Sequence, residues 1–306
     1  MEKPRTDHGA VEKIILIDTH CHLDAAEFDA DRDALVAAAR GQGRMRADDA
    51  APHELGAHDT ALPIRACVVP AVERANFGAV ASICRAYPGC APAFGIHPMY
   101  VERAQPEDLD ALRAMLTHQT AIAVGEIGLD RHITPRSDER QMFYFAAQLR
   151  IAREFDLPVL LHVRRAIDAI LNTLREIRVC GGIAHAFNGS LEQAAEFIKL
   201  GFKLGFGGAL TFAGSKRIRA LAAQLPLEAI VLETDAPDIP PAWRRGGRTE
   251  PADLLPIAQT LAELRGLPLS EVARVTSDNA LAVLPRLENF ISDHEPARAG
   301  NRPRAG

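Results

Sequence analysis

Eight short apolar runs rich in β-branched residues recur along this chain of 306 residues, each followed by a segment with helical spacing. They fall at 13–20, 64–70, 91–97, 121–129, 157–163, 181–186, 202–209 and 229–235, and the last is followed by two helical patterns at 251–265 and 270–290. Strands alternating with helices imply a parallel sheet, because parallel neighbours need a long crossover and not a hairpin. Eight such units favour closure into an α/β barrel of the (β/α)8, TIM type, which typically needs roughly 250 residues and tolerates insertions. An open doubly wound sheet would carry a Gly-rich phosphate loop after its first strand, and IDTHCHLD stands there instead.

Local punctuation supports the helical intervals. Pro106 followed by Glu107 and Asp108 opens one helix with a proline and acids in its first turn, and Ser190 precedes LEQAAEFIKL, which stops at Gly201. The hydrophobic content of 47% suffices for one large core, so residues 1–292 read as a single domain. Two segments break the rhythm: the polar, aperiodic stretch 41–62 reads as a flexible insertion, and 293–306 as a disordered tail.

Charge and cysteine usage narrow the function classes. A formal net charge of −5 supplies no broad basic field for duplex binding, so any nucleic-acid contact must be local. The five cysteines are scattered without a C-x-x-C pair, which points to a reducing compartment over a structural zinc or redox site. With neither a leader-like apolar segment nor a membrane-spanning run, the expectation is a cytoplasmic protein with no membrane association and no obligate protein partner.

The chemistry concentrates where the strands end. His20 and His22 flank Cys21 directly after IILIDT, and residues two apart on a strand face the same side, so both imidazoles can reach one ion. Alone, such a pair also fits packed structural histidines. Glu126, His162, His185 and Asp235, however, each close a further expected strand, and catalytic groups of such barrels gather at the C-terminal strand ends. Six nitrogen and oxygen donors suffice for two divalent ions, with Glu126 as the natural bridge between them. Asp235 is a candidate ligand and also a candidate proton acceptor from water. Glu233 and Asp18, one step deeper on the same faces, read either as groups that orient ligands or as core ion pairs.

The strings IDTHCHLD, FGIHP, VGEIGLD, LPVLLH, AHAFNGS and LETDAPDIPP together resemble the TatD family of metal-dependent deoxyribonucleases, a branch of the amidohydrolase-like barrels, in order from Ile17 to about Ile291. The resemblance implies phosphodiester hydrolysis at a dinuclear site, with His20, His22, Glu126 and Asp235 on one ion and Glu126, His162 and His185 on the other. Met99 after His97-Pro98 and the string GRTEP depart from the family pattern, so substrate contacts follow less directly than ligands.

For those contacts, His97 offers a hydrogen bond to a substrate oxyanion, Arg164 and Arg165 a phosphate clamp, and Arg248 with Arg244, Arg245 and Trp243 a charged, stacking surface for a nucleotide. Each also fits a structural turn or a solvated loop. The remaining histidines, His8, His53, His58, His118, His132 and His294, read as surface residues.

The resulting expectation is a hydrolase using Mg, Mn or Zn on single-stranded or short DNA, or on a small phosphodiester, from a 3' or 5' end. Two alternatives stand beside it: a dinuclear hydrolase of an ester, amide or aminoacyl bond, since the same chemistry attacks carbonyl carbon, and a metal-binding protein without turnover.

Overall fold

A computed structural model describes residues 14–41, 62–118 and 120–291. The segment 42–61, which holds nearly all of the expected insertion, and the expected tail 293–306 lie outside the described residues.

The eight strands are β1 (Leu16–Asp18), β2 (Ile64–Pro70), β3 (Cys90–Phe94), β4 (Ala123–Asp130), β5 (Val159–Arg164), β6 (Gly182–Ala184), β7 (Phe202–Phe206) and β8 (Ile230–Leu232). All pair in parallel in sequence order. The seam between β8 and β1 is drawn together by Thr19 N–H donating to the Leu232 carbonyl at 3.0 Å and by the Asp18 carboxylate, which accepts from Thr234 N at 3.0 Å and Thr234 Oγ1 at 2.6 Å. These bonds nearly close the sheet into the expected (β/α)8 barrel.

Around it run α1 (Arg32–Ala39), α2 (Phe77–Ala86), α3 (Glu107–His118), α4 (Asp138–Glu154), α5 (Ile167–Glu176), α6 (Leu191–Lys199), α7 (Lys216–Gln224), α8 (Leu254–Arg265) and α9 (Leu269–Val283). Ser190 caps α6 as its sequence suggests: Gln193 N–H donates to Ser190 Oγ at 3.2 Å, and Ser190 N–H donates to Gln193 Oε1 at 3.0 Å. The run 270–290 is one helix in the sequence reading. In the structure α9 ends at Val283, and Pro285 opens a separate 3-10 segment, Pro285–Phe290, because proline lacks the N–H and clashes with the preceding turn. No helix among the described residues is long and apolar enough to cross a membrane.

Period-2 alternation sorts the strand residues into two cores. Ile17, Ala66, Val68, Ala91, Ala93, Leu160, Ile183 and Val231 fill the barrel, with Val283, Leu284 and Leu287 packed against them. Their strand neighbours, such as Leu16, Val69, Val159, Leu161 and Leu232, face the helices. The interior is therefore a packed apolar plug, and only the residues past its upper layer are left to do chemistry.

Leu160 is fully buried in that plug. Leu160→Ala is expected to lower unfolding free energy by about 2–5 kcal/mol in a urea titration, whereas Phe143→Ser, at a side chain 55% exposed on α4, should change it by less than about 0.5 kcal/mol.

Candidate active site

Past β1, after a bend at Thr19, Cys21 N–H donates to the Val68 carbonyl at 3.0 Å and His22 N–H to the Ala236 carbonyl at 2.8 Å. His20 and His22 consequently face the barrel axis together, with their Nε2 atoms 3.3 Å apart. Cys21 is buried in the outer core. Asp235 N–H donates to the His20 carbonyl at 2.8 Å, and Asp235 itself sits in the left-handed region at φ 57, a strained placement for a residue bearing a Cβ.

Glu126, 2% exposed, is the centre of the cluster, and its two oxygens face different partners. Oε2 lies 3.2 Å from His20 Nε2 and 3.7 Å from His22 Nε2, while Asp235 Oδ1 lies 3.6 Å and 3.7 Å from the same two nitrogens. Oε1 lies 3.0 Å from His162 Nδ1, 3.1 Å from His185 Nε2 and 3.4 Å from His97 Nε2. With metal–ligand bonds of about 2.0–2.2 Å, the corners of a tetrahedral shell stand roughly 3.3–3.6 Å apart. The 3.0–3.7 Å separations of the Glu126 oxygens from His20, His22, His162 and His185 are close to that spacing, and imidazoles with carboxylates form a suitable donor set for a divalent ion. Residues within β4 and β5 and just past β1, β6 and β8 meet here although 215 positions separate His20 from Asp235.

Electrostatics follow from burying two carboxylates among imidazoles. Burial pushes the Glu126 carboxyl up, but His97, His20 and His185 outweigh it and hold the group well below its usual range. Burial lowers His20 to about 3, so its imidazole is neutral and ready to donate a lone pair. Burial opposes a proton on His185 and His162 as well, yet Glu126 and Asp235 raise the first well above its ordinary value, and Asp130 with Glu126 raises the second. Asp235 is raised by burial to about 6.

Glycine makes the close packing possible at two places. A Cβ on Gly128, at φ 145, would stand 2.1 Å from the His162 carbonyl oxygen, and one on Gly205 would stand 2.1 Å from Glu233 Oε2. The Glu233 carboxylate accepts from Ala186 N–H at 2.6 Å and lies 3.7 Å from His185 Nδ1, behind the ring. Asp18 instead ties the β1–β8 seam, accepting from His20 N–H at 3.2 Å as well as from Thr234.

The expected contact residues land in three different settings. His97 is inside the cluster, not at the rim, with Nδ1 accepting from Met99 N–H at 3.2 Å. That bond leaves the neutral ring's proton on Nε2, so His97 faces Glu126 as a donor, and burial keeps it neutral by lowering it to about 4. Arg164 is exposed at the mouth, with Nη1 3.9 Å from Asp130 Oδ2. Arg248 is elsewhere: it binds Asp31 and the Glu27 carbonyl, and its guanidinium lies over the Phe28 ring at 5.0 Å. Arg244 is held by Asp253 at 2.6 Å and Glu250 at 2.8 Å, and Trp243 Nε1 donates to Asp253. This part of the β8–α8 loop is committed to holding itself and the start of α1. Asp130 escaped the sequence reading. It shares strand parity with Glu126, four residues on in VGEIGLD, and that parity was the signal available.

Since Glu126 is what raises His185, Glu126→Gln should lower the pKa of His185 in chelator-treated protein, read by NMR titration of labelled histidines. An unchanged or higher value would contradict this electrostatic account.

Comparison with known proteins accords with this arrangement. The model of the TatD related DNase family matches residues 17–285. YjjV of Escherichia coli (strain K12), named an uncharacterized metal-dependent hydrolase, is 35% identical over 268 residues, covering 86% of this chain and 95% of its own. The putative deoxyribonuclease tatdn3 of Danio rerio is 31% identical over 285 residues, 89% of this chain and 98% of its own. The crystal structure of YjjV, at 33% identity, matches with a TM-score of 0.78 over 88% of this chain and 98% of that one. The chain therefore belongs to the TatD-related DNase family and is a metal-dependent hydrolase.

Proposed function

We propose that this hydrolase is a phosphodiesterase that removes nucleotides from the ends of single-stranded DNA with two divalent ions. The observation that carries the reading is the division of Glu126: each carboxylate oxygen faces its own set of donors. His20, His22, Glu126 and Asp235 would hold one ion, and Glu126, His162 and His185 the other. The preponderance of imidazole suits Zn or Mn, and Mg would need more water in its shell. The name of the Danio rerio relative supports a nucleic-acid substrate.

When bound, the ions supply Lewis-acid stabilisation of charge on phosphoryl oxygens and acidify water. The remaining work falls to side chains. Asp235, whose Oδ1 stands 3.6 Å and 3.7 Å from the His20 and His22 nitrogens, is the carboxylate placed to accept the proton of the attacking water. A substrate that drew the His97 Nε2–H away from Glu126 Oε1, 3.4 Å distant, would let it serve a developing oxyanion. Arg164, exposed beside the cluster, can pair bidentately with a phosphate of the entering strand. An acidic chain without a basic tract gives long duplexes little to hold, which favours a strand end whose phosphodiester is accessible.

End-labelled single strands with Mn or Mg should shorten as a ladder from one end, more slowly on blunt duplex. Random internal cuts would contradict end-directed action, and ester or aminoacyl hydrolysis without phosphodiester cleavage would favour a carbonyl substrate. Asp235→Asn should lower kcat by roughly 10²–10⁴-fold. His20→Ala and Glu126→Ala should both lose bound metal in elemental analysis. Because neighbouring carboxylates favour a proton on His185 and His162 and an ion needs their lone pairs, metal uptake should release protons and tighten as pH rises, measurable by calorimetry in buffers of different ionisation heat.

A further inference from the structure

The carboxylate of Asp130, at the end of β4, is fully buried beside the cluster and takes no part in the donor set above. Its two oxygens have separate duties. Oδ1 accepts from His132 N–H at 2.7 Å and Ile133 N–H at 3.3 Å, which folds the turn leaving the strand. Oδ2 lies 3.0 Å from His162 Nε2, on the opposite edge of the ring from the Nδ1 that meets Glu126 at 3.0 Å. The backbone of Asp130 is clamped on both sides by the buried side chain of Gln141, with Asp130 N–H donating to Gln141 Oε1 at 2.9 Å and Gln141 Nε2 donating to the Asp130 carbonyl at 3.0 Å. Arg164 Nη1, 3.9 Å from the same Oδ2, is 52% exposed and adds little.

We infer that Asp130 is a positioning residue: it binds the Nε2–H of His162, and thereby fixes the ring and leaves the Nδ1 lone pair for an ion beside Glu126. This rests on the ligand assignment of His162 made above. Neutral imidazole has one proton, and the nitrogen that keeps it is decided by the better acceptor. Both ring nitrogens meet a carboxylate at 3.0 Å; with an ion on the Glu126 side, Asp130 on its clamped backbone is the acceptor left for the Nε2 proton, and it increases the basicity of Nδ1. Gly128, two residues earlier, allows β4 to approach the His162 backbone closely enough for the contact.

Asparagine separates the two duties of the carboxylate. Its oxygen can still accept the two turn N–H groups, but the amide nitrogen then meets Nε2–H donor to donor, and the ring must move its proton to Nδ1 or turn away. The test measures Zn²⁺ affinity by dye competition for wild type, Asp130→Asn, Asp130→Ala and His162→Ala. It adds thermal unfolding of the metal-free proteins and ¹H–¹⁵N NMR of Zn²⁺-loaded, histidine-labelled protein. Asp130→Asn is expected to weaken Zn²⁺ binding roughly 10–100-fold and to lose the slowly exchanging His162 Nε2–H signal, with its melting midpoint near wild type. Asp130→Ala should lose affinity similarly and melt lower, since it removes the turn acceptor too. Wild-type affinity in Asp130→Asn with the Nε2–H signal retained would mean that Asp130 serves only the turn. If His162→Ala loses Zn²⁺ affinity and Asp130→Asn does not, positioning alone is overturned. Wild-type affinity in His162→Ala would instead remove the ligand assignment beneath it. Should Asp130→Asn fail to fold, the absence of an Nε2–H on His162 in the Zn²⁺-loaded wild type would overturn the inference by itself.

Discussion

A carboxylate with almost no solvent, Glu126, is the constraint around which the chemical end of the barrel is built. Burying an unpaired charge is prohibitive, so the fold surrounds this one with imidazole nitrogens at 3.0–3.7 Å on both oxygens. The imidazoles in turn cannot all be protonated at such spacing. They divide into His20 and His97, kept neutral by burial, and His162 and His185, raised by neighbouring carboxylates. Such a cluster of mutually perturbed groups is a recognised mark of a functional site, and it is poised for cations that would take over the neutralising role.

That arrangement depends on the apolar plug below it. The alternating strand residues fill the barrel to the level of Val68, Leu160, Ile183 and Val231, so the polar side chains just beyond have a rigid floor and nowhere to sink. The β1–β8 seam, tied by Asp18 and Thr234, brings His20 and His22 against Asp235 from opposite ends of the chain. Strain is concentrated in the same place: Asp235 and Ala186 both have positive φ directly beside the cluster. The surrounding hydrogen bonds, including the Glu233 carboxylate on Ala186 N–H, hold them there.

The arginines show why charge in a sequence is a poor guide to recognition. Arg244 and Arg248 look like a basic surface in the string WRRGGR, but folding supplies Asp253, Glu250 and Asp31 as partners and leaves them bracing a loop. Arg164 looks no different in sequence, yet its exposed position over the end of β5 leaves it at the mouth. The acids that neutralise one group and spare the other come from elements that sequence spacing does not relate.

What the sequence by itself determined is the repeating architecture and the polar residues in or just past the upper half of the strands, because both are local: period-2 apolar runs, helix caps, and histidines and acids set against apolar runs. Its errors at this level were also local, as where Pro285 divides one expected helix into a helix and a 3-10 segment. Only the tertiary structure decided the pairings across the barrel. It turned the two oxygens of Glu126 towards different histidines, brought His97 Nε2 to 3.4 Å from Glu126, and set Asp130 behind His162. Those relations depend on register and on which edge of a ring meets which oxygen, and distances of about 3 Å between residues tens to hundreds of positions apart exist only once the sheet has closed.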